Sequence, residues 1–334
     1  MKHILVIRLS ALGDAAIAAP IVAHVAAANT DILFTVAAPP RLAPLFEGLD
    51  NVKFKGINKR QSFWRLYRDF RSVGADAVAD LHQVNRIIGA LHLLRCDHLL
   101  RMRPLPIAHI DKGRRSRRRF LNHIDMYPRR PQWQRYADVF RKLGLEVPDI
   151  DSSLLTVKPT ERPVIGFAPF AAFRGKTWPT EFSDKLISLL SARGYRVCLF
   201  GGPADTAILE EWQKKYNNVE SLAAKLSFRE ELDAIAHLSL MVCMDSANMH
   251  FASAVGTPVV SIWGATHPDF GFYGFRQDRT NALCANLPCQ PCSAFGQRPC
   301  RYGDYRCLQA IRPEQVLNHI EERLSKSSLS NHSN

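Results

Sequence analysis

Short apolar runs alternate with helical stretches along this chain, and the alternation runs twice. "HILVIRL" (3–9) reads as a buried strand, and "DAAIAAPIVAHVAAA" (14–28) as a helix with Pro20 in or near its first turns. Strand-like runs follow at 31–38, 52–57, 75–82 and 98–104. "SSLLTVKPTERP" (152–163) lacks a period and reads as a linker. The rhythm then restarts with strands at 163–170, 195–202, 237–244 and 257–264. A helix at 179–194 has Thr180 as its expected cap and Gly194 as its stop, and a last helix at about 313–324 starts at Pro313. A repeated strand–helix–strand order specifies parallel sheets covered by helices on both faces. The 334 residues suit two domains better than one. The expected architecture is α/β, with two Rossmann-like doubly wound domains, 1–158 and 159–325, facing a central cleft. The polar tail 326–334 is expected to be disordered.

Composition narrows the function classes. Hydrophobic residues make up 46% of the chain, but no run approaches the ~20 apolar residues of a membrane span. The N-terminal apolar run is short and broken by Arg8, unlike a secretory signal, so a cytoplasmic protein is expected. The net charge of +13 is lopsided: residues 1–158 hold 26 Lys+Arg against 14 Asp+Glu, whereas 159–334 hold 18 against 17. The first half should therefore meet something acidic, such as nucleic acid, anionic lipid or a phosphorylated glycan. No helix-turn-helix, zinc-finger spacing or aromatic RNA platform accompanies the charge, which leaves nucleic-acid binding as the weaker alternative. Cys96, Cys198 and Cys243 read as small core residues. Cys284, Cys289, Cys292, Cys300 and Cys307 form a cluster spaced C-x4-C-x2-C-x7-C-x6-C. These intervals are not those of a zinc finger or ribbon, and packed or free thiols are expected ahead of zinc.

Two strand–helix junctions carry chemistry. "MDSANMHFASAVG" (244–256) turns from a strand into a small-residue helix, with Asp245 or Ser246 as its cap and Gly256 as its stop. Such a junction is either a capped helix or an anion site, since helix N-termini at the carboxyl ends of parallel strands favour phosphate. Gly13-Asp14 occupies the equivalent place in the first half. Asp14 is either a helix cap or a general base.

Five separated segments together resemble the glycosyltransferase family 9 heptosyltransferases. They are "IRLSALGDAAIAAP", "IDKGRRSRRRFLNH", "GKTWP", the 244–264 stretch continued as "IWGATHP", and "CQPCSAFGQRPCRYGDYRCLQAI". They span almost the whole chain. The resemblance implies the GT-B fold and inverting transfer of a sugar, usually heptose from ADP-heptose, to a lipopolysaccharide core acceptor. It makes Asp14 the base, with Gly13 beside the acceptor, and places Lys176 on the donor diphosphate. Ser246, Ala247, Asn248 and His250 become diphosphate or sugar contacts, and His250 can equally be a core residue. Asp245 would cap N–H groups, pair with Lys176 or accept sugar hydroxyls. From its place just after the strand at 195–202, rather than from the resemblance, whose acidic residue in this loop is not cleanly matched, Asp205 would approach a ribose hydroxyl. Lys112, Arg114 and Arg115 would meet an acidic glycolipid acceptor at the inner face of the inner membrane, the segment ordering on that acceptor.

The chain departs from the pattern in having Ala171 and Ala172 where enterobacterial members have threonines, and Ala247 in place of Gly. No metal or other cofactor is expected, because the lone Asp-x-Asp, Asp149-Ile150-Asp151, falls at the linker. A GT-B enzyme acting on another nucleotide sugar or acceptor, or an epimerase of that fold, stays open beside this reading.

Overall fold

The computed structural model describes residues 2–150 and 163–331. Within them the chain forms two compact units. The first takes the chain up to Lys112 and again from Gln132 to Ile150; the second takes Gly113–Pro131 and everything from Pro163 onward.

The first unit is built on a parallel sheet of β1 (His3–Ile7), β2 (Leu33–Ala38), β3 (Val52–Gly56), β4 (Ala77–Asp80) and β5 (Ile107–His109), in the order β3-β2-β1-β4-β5. Register is set by pairs such as Ile4 with Phe34 on one side and with Ala77 on the other. The helices are α1 (Leu12–Ala28), α2 (Phe63–Arg71), α3 (Asn85–Leu100) and, after the excursion into the second unit, α5 (Gln132–Lys142). Eight of the 17 residues of α1 are alanine, the best helix former, and most of the helix is buried. Small side chains let it lie close to the sheet. In α2 only Leu66 and Phe70, one turn apart, are buried, so that helix packs with a single stripe, mainly against α3.

The second unit carries β6 (Val164–Ala168), β7 (Arg196–Leu199), β8 (Val219–Ser221), β9 (Leu240–Met244), β10 (Val259–Trp263) and β11 (Ala282–Cys284), all parallel, in the order β11-β10-β9-β6-β7-β8. Its helices are α4 (Arg114–Leu121), α6 (Thr180–Ala192), α7 (Thr206–Lys215), α8 (Phe228–Ala236), α9 (Ala247–Val255), α10 (Arg306–Gln309) and α11 (Pro313–Asn331). Strands β9 and β10 are buried at every position, which is why they read as unbroken apolar runs. In both sheets the strand order reverses direction once, between β1 and β4 and between β6 and β9. Ligands of such sheets bind beyond the carboxyl ends of the strands at those two places.

Several expectations give way here. The run at 98–104 is not a strand: α3 continues to Leu100, because Ile87, Leu91 and Leu94 recur at helical spacing, and β5 follows the prolines at Ile107. Thr180 does not cap α6. It is the first helical residue, and the Pro179 carbonyl accepts the N–H groups of Phe182 and Ser183 at 3.0 and 3.1 Å. Gly194 does stop that helix, at a φ of +77°. No glycine or proline interrupts the chain after Pro313, and α11 runs on to Asn331 through most of the expected disordered tail. Cys96 is exposed on α3 rather than packed in a core. The expected 152–163 linker, apart from Pro163, lies outside the described residues. The domain boundaries also differ from 1–158 and 159–325, since 113–131 belongs with the second unit.

Candidate active site

In the first unit, Arg8 follows β1 and Asp14 sits in the first turn of α1. The two form an ion pair. Asp14 Oδ2 also accepts the Ala11 N–H at 3.3 Å, and Oδ1 accepts the Tyr136 hydroxyl of α5 at 3.3 Å. The carboxylate is thus held on three sides, yet its side chain keeps 23% exposure. Arg8 is buried and donates from Nη1 to the Leu81 carbonyl at 2.5 Å. Burial works against its charge, but the Asp14 carboxylate, by its charge and its hydrogen bond, outweighs that and holds it above its ordinary value. Burial also pushes the Tyr136 phenol up, so it stays a donor.

Beside this pair, beyond β4, lies His82. Its Nδ1 accepts the Leu9 N–H at 3.3 Å, which leaves the Nε2 hydrogen facing Ser10 Oγ at 3.1 Å. Burial, followed by the Arg8 charge, lowers His82 to about 4, so the ring is neutral at pH 7. Asp80 is fully buried: Oδ1 accepts the N–H groups of His82 and Gln83 at 2.9 and 2.8 Å, and Oδ2 meets His109 Nδ1 at 2.8 Å. Together these bonds fix the turn after β4 against the turn after β1.

In the second unit, Lys176 follows β6 and Asp245 follows β9. Lys176 Nζ lies 2.9 Å from Asp245 Oδ2, and Thr266 Oγ1 donates to the same oxygen at 2.7 Å. Asp245 therefore pairs with Lys176 and does not cap α9. Ser246 holds the N-cap position, but its Oγ makes no cap bond and, though buried, has no hydrogen-bond partner among the described residues. The first N–H groups of α9 have no intrahelical acceptors and point out at the carboxyl edge of the sheet. Ala247 and Asn248 are half-buried in that first turn, while His250 is buried one turn further on.

The Lys176 stem is clamped by loops. At Gly296, with φ +82°, any Cβ would overlap Lys176 Cγ, so glycine is required both for the backbone and for the stem. The Ala265 N–H bonds the Gly175 carbonyl at 2.7 Å, and the N–H groups of Cys292 and Ser293 bond the Ala265 carbonyl at 3.0 Å. The cysteine-rich segment thus forms a wall behind Lys176. Burial raises the Cys307 thiol to about 12 and lifts Cys292 and Cys284 as well. Among the described residues, no three His, Cys, Asp or Glu side chains are grouped as metal ligands would be.

Other expected residues fall differently. Asp205 accepts the Gly202 N–H at 2.8 Å and closes its own turn after β7. The Ala171 N–H, a candidate replacement for the missing threonine hydroxyl, is taken by Thr177 Oγ1 at 3.3 Å. The arginine run is already a helix and needs no acceptor to order it. Phe120 is fully buried against Phe270 and His267 at centroid distances of 4.9 and 5.6 Å, and Arg117 lies over Phe272 at 5.1 Å. Arg114 and Arg115 are exposed at the start of α4, just after Lys112, the last residue of this stretch in the first unit.

Sequence reading missed Arg8, Tyr136, Thr266 and Gly296 as parts of these sites. Arg8 had a signal, a charge at the end of an otherwise apolar strand. Tyr136 and Thr266 are brought in by tertiary packing from helix and loop positions with no distinguishing pattern.

Comparison with known proteins bears on these sites. The sequence profile of glycosyltransferase family 9 (heptosyltransferase) matches residues 120–305. Lipooligosaccharide heptosyltransferase 2 of Haemophilus influenzae is 37% identical over 116 residues, 33% of this chain and 34% of that protein. The chain spans about a third to a half of the length of the curated relatives it matches. Among solved structures, a glycosyl transferase family 9 protein from Veillonella parvula superposes with a TM-score of 0.75 at 20% identity, covering 97% of this chain and 98% of that one. The ADP-heptose LPS heptosyltransferase II of E. coli gives 0.71 at 22% identity, covering 98% and 100%. These two likenesses extend the shared fold over nearly the whole chain.

Proposed function

The chain belongs to glycosyltransferase family 9, and from that premise we propose that it transfers heptose from ADP-heptose to the inner core of lipopolysaccharide, with inversion and without a metal ion. The observation that carries this reading is the Lys176 ammonium, held beside the uncapped start of α9 at the carboxyl end of the sheet. A fixed cation and free helix N–H groups together suit a diphosphate leaving group. The names of the relatives, lipooligosaccharide and lipopolysaccharide heptosyltransferases, support heptose and the acceptor class.

In this reading an acceptor hydroxyl oxygen attacks the anomeric carbon as the bond from that carbon to the diphosphate oxygen breaks. The hydroxyl proton passes to Asp14, and ADP departs carrying charge that Lys176 meets. A single displacement inverts the anomeric centre. Ser246, Ala247 and Asn248 supply diphosphate contacts, with the Ser246 hydroxyl ready to donate. Asp205 keeps one oxygen for a ribose hydroxyl, and Gly13 leaves the approach to Asp14 open. His250, one turn into α9, is proposed to reach the donor sugar.

Incubation with a panel of nucleotide sugars and core acceptor tests the donor and acceptor classes. ADP release from ADP-heptose that depends on acceptor is expected. Nucleotide release from a UDP- or GDP-sugar, with none from ADP-heptose, overturns the assignment.

Lys112, Arg114 and Arg115 are proposed to hold the acidic acceptor, whose carboxylates and phosphates match guanidinium forks. Replacing Arg114 and Arg115 by Ala should raise the acceptor KM about tenfold and flatten its salt dependence, leaving the donor KM nearly unchanged. Equal changes in both constants would make the run a solvated surface. The proposed setting is the cytoplasm, with peripheral contact at the inner face of the inner membrane and no nucleic-acid partner. No helix among the described residues is long and apolar enough to cross a membrane.

A further inference from the structure

The carboxyl end of α3 displays an apolar tip that the proposed reaction does not use. Leu99, Leu100 and Met102 are 58%, 85% and 92% exposed. The tip is a defined structure rather than a frayed end. The Met102 N–H bonds the Leu99 carbonyl at 2.9 Å and the Arg103 N–H reaches back to the His98 carbonyl at 3.0 Å, the paired bonds of a Schellman stop. Met102 fills the position in that motif where glycine is usual, at a φ of +53°. A large apolar side chain is thus held outward in a left-handed conformation that disfavours it.

Around the tip, Arg71, Arg95, Arg101 and Arg103 outnumber the carboxylates Asp76 and Asp97. Arg71 and Arg101 share Asp97 at 2.9 and 3.5 Å, and Arg103 meets Asp76 at 3.2 Å. Such exposed pairs are weak and leave the guanidiniums available to an anionic surface. Apolar residues projecting through a basic collar fit a bilayer interface, where the side chains enter the acyl boundary and the arginines stay among anionic headgroups.

We propose that the tip formed by Leu99, Leu100 and Met102, with its arginine collar, docks the protein on an anionic membrane. This gives a surface to the peripheral contact and rests on that part of the proposed function.

The test is co-sedimentation with phosphatidylcholine vesicles, with and without one quarter phosphatidylglycerol. Wild-type protein should sediment with the anionic vesicles only. The double variant Leu100→Glu/Met102→Glu should lose about tenfold or more of that partition. Its transfer to a deacylated, water-soluble core acceptor should match wild type, whereas transfer to acceptor embedded in anionic vesicles should fall. Wild-type protein that ignores both vesicle types, or a variant that binds like wild type, overturns the docking surface, and activity on the soluble acceptor would then leave the transferase reading standing. Vesicle binding that depends on the tip, in a protein that transfers to neither acceptor, sinks the transferase reading and keeps the surface. Concentration-dependent dimerisation abolished by the same variant, without vesicle binding, assigns the tip to a second copy of the chain and overturns the proposal.

Discussion

Asp14→Asn should lower turnover by about 100-fold or more while leaving ADP affinity close to wild type, the signature of a lost general base. Asparagine keeps the shape of the side chain. Its amide oxygen can keep the Ala11 N–H, while its NH2 group takes the other position and donates to the Tyr136 hydroxyl oxygen, so the first turn of α1 is preserved. What it loses is the charge that takes the acceptor proton.

The same change leaves Arg8 buried without its carboxylate, and removing one partner of a buried pair destabilises by roughly 3–5 kcal/mol. A fall in Tm is therefore expected beside the fall in kcat, and the two must be separated. ADP is proposed to bind the second unit, so its affinity reports on that unit, and a melting curve whose onset lies above the assay temperature is what shows the first unit folded when turnover is read. Arg8→Lys supplies the complementary variant. It retains a charge for Asp14 but gives up the planar fork and the fixed contact to the Leu81 carbonyl, and kcat should fall less than in Asp14→Asn. Full turnover in Asp14→Asn would return Asp14 to a helix cap held by Arg8.

What the sequence reveals about this fold depends on how local the determinant is. Strands β9 and β10 and the helix between them are legible because each is set by its own apolar run and by Gly256, which ends α9 at a φ of +87°. The run at 98–104 misleads because its leucines form the last turn of α3, and short apolar runs do not separate strand from helix unless the period of the stripe upstream, Ile87, Leu91 and Leu94, is followed. The membership of α4 in the second unit has no local sign at all. It is decided by Phe120 finding Phe270 and His267, some 150 residues further along the chain.

The candidate site follows the same division. Asp14 and Asp245 stand out because a charge opens a helix or follows an apolar strand, whereas Lys176, a loop lysine, is marked only by the family resemblance of its GKTWP segment. Thr266 and Gly296 act through contacts that only the folded chain creates, one on the Asp245 carboxylate and the other on the Lys176 stem. The apolar tip is hidden for the opposite reason. Its leucines look like core, and only the folded structure shows them exposed.

Lys176→Ala should weaken ADP binding by roughly 30-fold or more and lower turnover further, and most of the binding loss should come from the residue left behind. Lys176 holds Asp245, whose side chain is only 10% exposed, through the 2.9 Å ion pair. Without the ammonium, Asp245 retains the Thr266 hydroxyl but no opposite charge, and it sits where the diphosphate is proposed to bind. The nucleotide then meets an uncompensated carboxylate as well as losing its cation. Truncating one member of a buried charge pair typically costs about 2–5 kcal/mol, much of it the penalty on the orphaned partner. A double variant that also neutralises the partner, Lys176→Ala with Asp245→Asn, should therefore recover a large part of the ADP affinity, because the repulsion is gone. It should not recover turnover, since charge developing on the leaving diphosphate still lacks its ammonium. Titration calorimetry with ADP on the four proteins of this cycle measures the coupling directly. A double variant that binds ADP as weakly as Lys176→Ala would show that Asp245 faces away from the phosphates, and wild-type affinity in Lys176→Ala would remove the ammonium from the donor site altogether.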